Sequence, residues 1–189
     1  GEQALDANRG GATASATRRA GDSGIFVVAA AGNDGGVTDD GLVSVPANIP
    51  RVITVGATTI AQEVWVNSSK GSQNLDGGEM RGHPNQKPEV VAPGVGIIST
   101  GNNNAWYSST GTSDATVFVT AALSLLLEEH PEYKPTQSSN GSCIDAIKVA
   151  LMNSVEPLHD DGLHDDHTGY GELRALDWIN EVTSTAPTC

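Results

Sequence analysis

Apolar residues in this chain come in runs rather than in strict alternation, and glycine, proline and asparagine separate the runs. Ile25 to Ala31 is continuously apolar and lies between Gly21–Gly24 and Gly32-Asn33-Asp34-Gly35-Gly36. A run of that kind predicts a parallel strand covered on both faces. The alanine-rich stretch 4–22, with Arg18-Arg19, predicts a moderately amphipathic helix that stops at those glycines. Helix, glycine turn and buried strand together are the rhythm of an α/β fold.

Val52 to Ala57 predicts a second buried strand, and Val64-Trp65-Val66 a short third one. Residues 34–50 read as loop, and the polar, glycine-rich stretch 67–88 as a long surface loop of the kind that often carries function. Val90 to Gly94 leads into a turn. Ile97–Thr100 and Ala105–Tyr107 flank Gly101-Asn102-Asn103-Asn104, which predicts a hairpin. Nearer the C-terminus, helices are expected over Ile144–Met152 and Leu173–Val182, with an acidic, histidine-rich loop at 156–169 between them.

The most informative stretch runs from Ser109 to Thr116 and into the apolar run Val117–Leu127, which Glu128, Glu129 and Pro131 close. Its length favours a buried helix over a strand. Ser113 then falls on the first turn, where backbone N–H groups lack helical partners and Gly111 permits close approach. A hydroxyl there is held rigidly beside oxyanion donors. The competing reading is that Ser109, Thr110, Thr112 and Ser113 only cap a core helix. Asn33 is likewise either a donor or a turn residue that tolerates left-handed backbone.

The 189 residues suit one domain, and no run is long enough for a membrane span. Gly1 stands where an initiating methionine would, so the chain is expected to be part of a longer polypeptide. A formal charge of −13, with 23 acidic against 10 basic residues, argues against nucleic acid as a partner. So acidic and lysine-poor a surface also suits high salt, without establishing a halophilic source. Cys143 and Cys189 either pair or remain free thiols. The cluster His159-Asp160-Asp161 with His164-Asp165-Asp166-His167 lacks the spacing of an EF-hand or a zinc-protease helix, and no metal ligands are assigned.

Three separated stretches point to one family. Val27 to Gly35 resembles the strand and turn of subtilisin-like serine proteases that ends in the oxyanion asparagine. Lys87-Pro88-Glu89-Val90-Val91-Ala92-Pro93-Gly94 resembles the segment leading to the nucleophile, and Gly111-Thr112-Ser113 the nucleophile motif. Val45-Pro46-Ala47, Ser68-Ser69-Lys70-Gly71 and Gly169-Tyr170-Gly171 match in the same order. The resemblance implies a three-layer α/β/α fold with a mostly parallel sheet. It also implies an endopeptidase acting on polypeptides through an acyl-enzyme on Ser113, with Asn33 in the oxyanion hole. Ala30, Ala31, Gly32 and Ser44 match walls of the pocket for the substrate side chain before the scissile bond. It further implies a cis Val45–Pro46 bond and a secreted protein, and leaves room for calcium in the complete domain.

The departures are as specific. The family's catalytic aspartate and its His-Gly-Thr-His-like motif precede the oxyanion strand, and neither motif occurs. Residues 1–189 are therefore expected to be the C-terminal part of a peptidase domain, inactive alone and partnered by the missing N-terminal half. Asp114, Val117 and Phe118 also replace the residues usual after the serine. A non-catalytic peptide-binding pseudoprotease is the alternative. A phosphate-binding turn at Gly32–Gly36 is a weaker one, without G-x-G-x-x-G or the Walker lysine.

Overall fold

The computed structural model describes residues 11–36, 41–73, 80–135, 140–159 and 162–189. Residues 4–10 of the first expected helix, parts of the loops at 37–40 and 74–79, and Asp160-Asp161 lie outside the described residues.

Three strands form one parallel sheet in the order β1 (Val28–Ala30), β2 (Ile53–Thr58) and β3 (Val90–Pro93). Val28 pairs with Ile53, and Val55 with Val90. Alternation along each strand then sorts the two faces. Val28, Ile53, Val55, Ala57, Val90 and Ala92 join the core with Ala115, Val119, Ala122 and Leu126 of α2 (Thr112–Glu129). On the other face, Ala29 packs with Ala14 of α1 (Ala12–Asp22) and with Val43, Ala47, Ile49 and Val52. Helices α3 (Gly141–Asn153) and α4 (Ala175–Thr185) close the α2 side through Ile147, Leu151, Trp178 and Val182. This is the α/β architecture, with helices on both faces of a parallel sheet. A disulfide joins Cys143 at the start of α3 to Cys189.

Several expectations need correction. The apolar run at 25–31 yields only a three-residue edge strand, and Ile25 is 46% exposed. No second strand pairs with β1 on its outer side among the described residues, although both of its faces are covered, Val28 by the α2 core and Ala29 by the α1 side. Val64–Val66 is not a strand. The chain turns at Thr59–Glu63, with Gln62 at φ 63°, and Val64 makes one isolated bridge back to Thr58. Helix α3 starts before Ile144, because the Asn140 side chain caps it by accepting from Ser142 N and Cys143 N. The hairpin is present as β4 (Ile97–Thr100) and β5 (Trp106–Ser109).

The largest correction concerns α2. It buries one face, whereas Val117, Phe118 and Leu125 are 65%, 43% and 61% exposed. Ser113, Val117, Ala121 and Leu125 follow at intervals of four, so the serine heads an outward apolar stripe. The helix carries enough apolar residues for two faces, and the described residues cover only one.

Candidate active site

The carboxyl ends of β1 and β3 set the position of the α2 N-terminus. Gly94, just beyond β3, accepts from Gly111 N at 2.8 Å. A Cβ on Gly94 would lie 2.6 Å from Gly111 O and 2.8 Å from the Ala57 Cβ, so only glycine allows this approach. Gly32, just beyond β1, has φ +117° and donates its N–H to Thr112 Oγ1 at 3.2 Å. Both strand ends therefore grip the residues before Ser113.

Asn33 completes that grip. Its Oδ1 accepts from Thr112 N at 3.0 Å and from Thr112 Oγ1 at 2.9 Å. Both contacts require an acceptor, which fixes the orientation of the amide and leaves Nδ2 as a donor with no partner among the described residues. The Nδ2 lies 3.3 Å from where a Gly111 Cβ would sit, against the turn that enters the helix. Ser113 N is in the same condition. Thr112 N is taken by Asn33, and Asp114 N and Ala115 N donate to Gly111 O, whereas Ser113 N has no partner among the described residues. Two donors without a partner among the described residues thus stand at the α2 N-terminus that carries the exposed Ser113, groups of the kind that hold an oxyanion.

The capping reading of the serine motif does not hold. Gly111 is the N-cap and makes no side-chain cap, and Ser113 lies inside the helix. The helix end is capped from outside by Asn33, and the role of Thr112 as the residue that orients Asn33 was not legible in its type. The only sequence signal was its place in Gly-Thr-Ser.

Among the expected pocket residues, Ala31 is buried, while Ala30, Gly32 and Ser44 are half-buried. Ala30–Gly32 adjoin Asn33, and Ser44 precedes a Val45–Pro46 bond that is cis, as the resemblance implied. Gly32 O also accepts from Ser69 N, and Ser69 Oγ accepts from Asp34 N at 3.1 Å, so the Ser68-Ser69 motif fastens this turn.

No histidine reaches Ser113. His130 meets Glu132 and Thr183, and His159 faces Asp165. His164 contacts Pro88 O and Tyr170, His83 stacks edge-on with Tyr170, and His167 contacts Ser68 O. Burial lowers the pKa of His167, and the nearby charge of Lys70 lowers it further. Among the described residues no three histidine, cysteine or carboxylate side chains converge to hold a metal ion. No helix among them is long and apolar enough to cross a membrane.

A second polar centre, away from Ser113, escaped the sequence reading. Glu89 is fully buried, and its Oε1 lies 2.8 Å from Lys87 Nζ and 2.7 Å from Lys148 Nζ, both also fully buried. Its Oε2 accepts from Thr54 N at 2.8 Å. Desolvation dominates at Lys87 and lowers its pKa to about 7, against the attraction of Glu89. For Glu89, the two ammonium groups outweigh burial and hold the pKa below the ordinary carboxylate value.

Comparison with known proteins bears on the family and the fold. Residues 2–171 match the model of the subtilase family. Subtilisin DY of Bacillus licheniformis is 37% identical over 118 residues, 62% of this chain and 38% of that protein. Alkaline elastase YaB of Bacillus sp. (strain YaB) is 33% identical over 137 residues, 72% of this chain and 32% of that protein. Among solved structures, the prenylagaramide maturation protease PagA superimposes with a TM-score of 0.64 at 27% identity, covering 88% of this chain and 54% of that one. The chain thus spans well under half the length of these sequence relatives and about half of the structural one. By its family match, its fold and the order of its motifs, this chain belongs to the subtilase family of serine peptidases.

Proposed function

We propose that this chain supplies the nucleophilic half of an endopeptidase site. Ser113 Oγ attacks a peptide carbonyl, and Ser113 N with Asn33 Nδ2 receives the oxyanion. Ala30, Ala31, Gly32 and Ser44 wall the pocket for the substrate side chain before the scissile bond. The observation that carries this reading is the pair of hydrogen bonds from Thr112 to Asn33 Oδ1, which leaves Nδ2 free beside the nucleophile.

The general base is not among the five histidines. A serine hydroxyl is a poor nucleophile near neutral pH without an adjacent base, so the chain alone is inactive towards peptides. The aspartate and histidine of the triad come from polypeptide additional to these 189 residues, forming the N-terminal part of the domain. The outward stripe of α2 and the outer edge of β1 are where it packs. That interface makes the stripe of Val117, Ala121 and Leu125 buried in the assembled domain, and brings the base to Ser113 at its head. The assembled protein is secreted and cleaves extended polypeptides.

A second reading is a peptide-binding pseudoprotease, favoured by the Asp114 carboxylate beside the nucleophile. Hydrolysis of fluorogenic peptides separates the two. The assay compares the chain alone, the chain joined to the triad-bearing part of a subtilase domain, and that joined protein with Ser113→Ala. The peptidase reading expects turnover only in the second. Peptide binding without turnover there would establish the pseudoprotease, and turnover by the chain alone would return the base to one of its own histidines.

A further inference from the structure

Two carboxylates stand on the turns that carry the two donors, Asp34 next to Asn33 and Asp114 next to Ser113. Asp114 lies in the first turn of α2, and its Oδ1 accepts a short hydrogen bond from Ser109 Oγ on β5, which fixes the side chain. Its Oδ2 lies 3.7 Å from the point where a Gly111 Cβ would sit, the same point that lies 3.3 Å from Asn33 Nδ2. On the other side, Asp34 Oδ2 lies 3.9 Å from the Cβ position of Gly32, and Ser69 Oγ holds the Asp34 backbone. Neither carboxylate takes part in an ion pair among the described residues, although Arg51, Arg174, Lys87 and Lys148 all do. Neither charge is neutralised by a described cation, and Asp114 Oδ2 stands against the same Gly111 turn as Asn33 Nδ2.

Resting on the reading of Ser113 as the nucleophile, we propose that Asp114, assisted by Asp34, is a specificity-determining residue. It makes the site select polypeptides that carry a lysine or arginine next to the bond attacked. A fixed negative charge this near repels a developing oxyanion, and a cationic substrate side chain compensates it. A neutral or acidic peptide brings no compensation and reacts more slowly. The overall charge of −13 deepens the same potential at low salt.

The electrostatic part is testable on the 189-residue chain without catalysis or any added polypeptide. Cys143 and Cys189 are paired and are the only cysteines, so Ser113→Cys introduces a single free thiol. The thiolate attacks the sulfenyl sulfur of a methanethiosulfonate, a disulfide forms and methanesulfinate leaves. The readout is the ratio of rates for the cationic aminoethyl and the anionic sulfonatoethyl reagents. Adding Asp114→Asn should change each rate about fivefold in opposite senses, and so lower that ratio about 25-fold at low ionic strength, from the Coulomb energy of one charge about 4 Å away in water. Asp34→Asn should lower it less, and salt near 1 M should remove most of both effects. A ratio unchanged within about twofold in the Asp114→Asn chain overturns the proposal, as does a ratio favouring the anionic reagent throughout. A second arm uses the joined protein and peptides with lysine or norleucine flanking the cleaved bond. Asp114→Asn should raise kcat/KM for the norleucine peptide and erase the preference for lysine, and a preference that survives overturns the proposal. If no peptide is cleaved, the peptidase reading fails, and the reagent ratio still decides the electrostatic claim.

Discussion

Replacing Glu89 by glutamine removes one negative charge from a site that buries two ammonium groups. The carboxylate, Lys87 and Lys148 are all fully buried. Lys87 Nζ also donates to Val52 O at 2.6 Å, and Lys148 Nζ to Asn85 Oδ1 at 2.9 Å and to the same Val52 O at 3.3 Å. Glutamine keeps the size and an acceptor, but Lys148 loses its counter-charge, and Lys87, whose pKa burial already lowers to about 7, loses the attraction that holds its proton. Breaking a buried ion pair by removing one partner costs about 3–5 kcal/mol, because the other charge stays buried. In a domain of this size each kcal/mol moves Tm by about 2–4 °C, so Glu89→Gln should lower Tm by roughly 6–20 °C. Lys148→Met is the internal control. It leaves the Lys87–Glu89 pair balanced, and should cost less than half as much. Urea denaturation followed by circular dichroism, with m compared between variants, gives both values. A loss below about 1 kcal/mol for Glu89→Gln, or a larger loss for Lys148→Met, would refute the account of the cluster as two cations held by one shared anion.

Three shorter predictions come from the same packing. The depressed Lys87 pKa means that the unfolded chain binds this proton more tightly than the folded one. Stability linked to it should rise with pH above about 7, by about 2 kcal/mol from pH 7 to pH 9. Urea titrations at the two pH values should show the rise, and Lys87→Met should abolish it. Gly94→Ala should destabilise by about 1–3 kcal/mol, because its Cβ would meet Gly111 O at 2.6 Å. Thermal melts give that loss, and reactivity at Ser113 should fall with it as the α2 N-terminus shifts. Reducing the Cys143–Cys189 bond, with a sequence separation of 46, should cost about 4 kcal/mol by loop-closure entropy. Melts with and without reductant test this.

The strands that carry the site were legible because a buried parallel strand must be apolar on both faces, as Ile53–Ala57 and Val90–Ala92 are. The turn at Gly32–Gly36 was legible as a turn, whereas the donor role expected of Asn33 came only from the family resemblance. Composition misled where it assumed that apolar residues are covered by the same stretch of chain. Val117, Phe118 and Leu125 made α2 read as wholly buried, and Ile25 made the first strand read as longer than its three residues. Both are statements about a surface that these residues do not themselves cover. Val64–Val66 failed for a different reason. Its β-prone residues follow a tight turn in which Trp65 N donates to Ala57 O, so they terminate β2 and do not extend the sheet. Lys87 and Glu89 escaped because charged residues two apart read as a solvated surface. Only the arrival of Lys148 from α3 shows that the pair is interior.

The central claim is that Ser113 is the nucleophile, with Asn33 Nδ2 and its own N–H awaiting the oxyanion and the base supplied by additional polypeptide. Fluorophosphonate labelling located by peptide mass spectrometry tests it most directly. In the joined protein the adduct should form on Ser113 alone. Asn33→Ala should slow labelling by about 10²–10³, the loss known for such a donor in subtilisin. The chain by itself should label far more slowly than the joined protein. An adduct on any other residue, or labelling of the chain alone at the rate of the joined protein, would contradict the account.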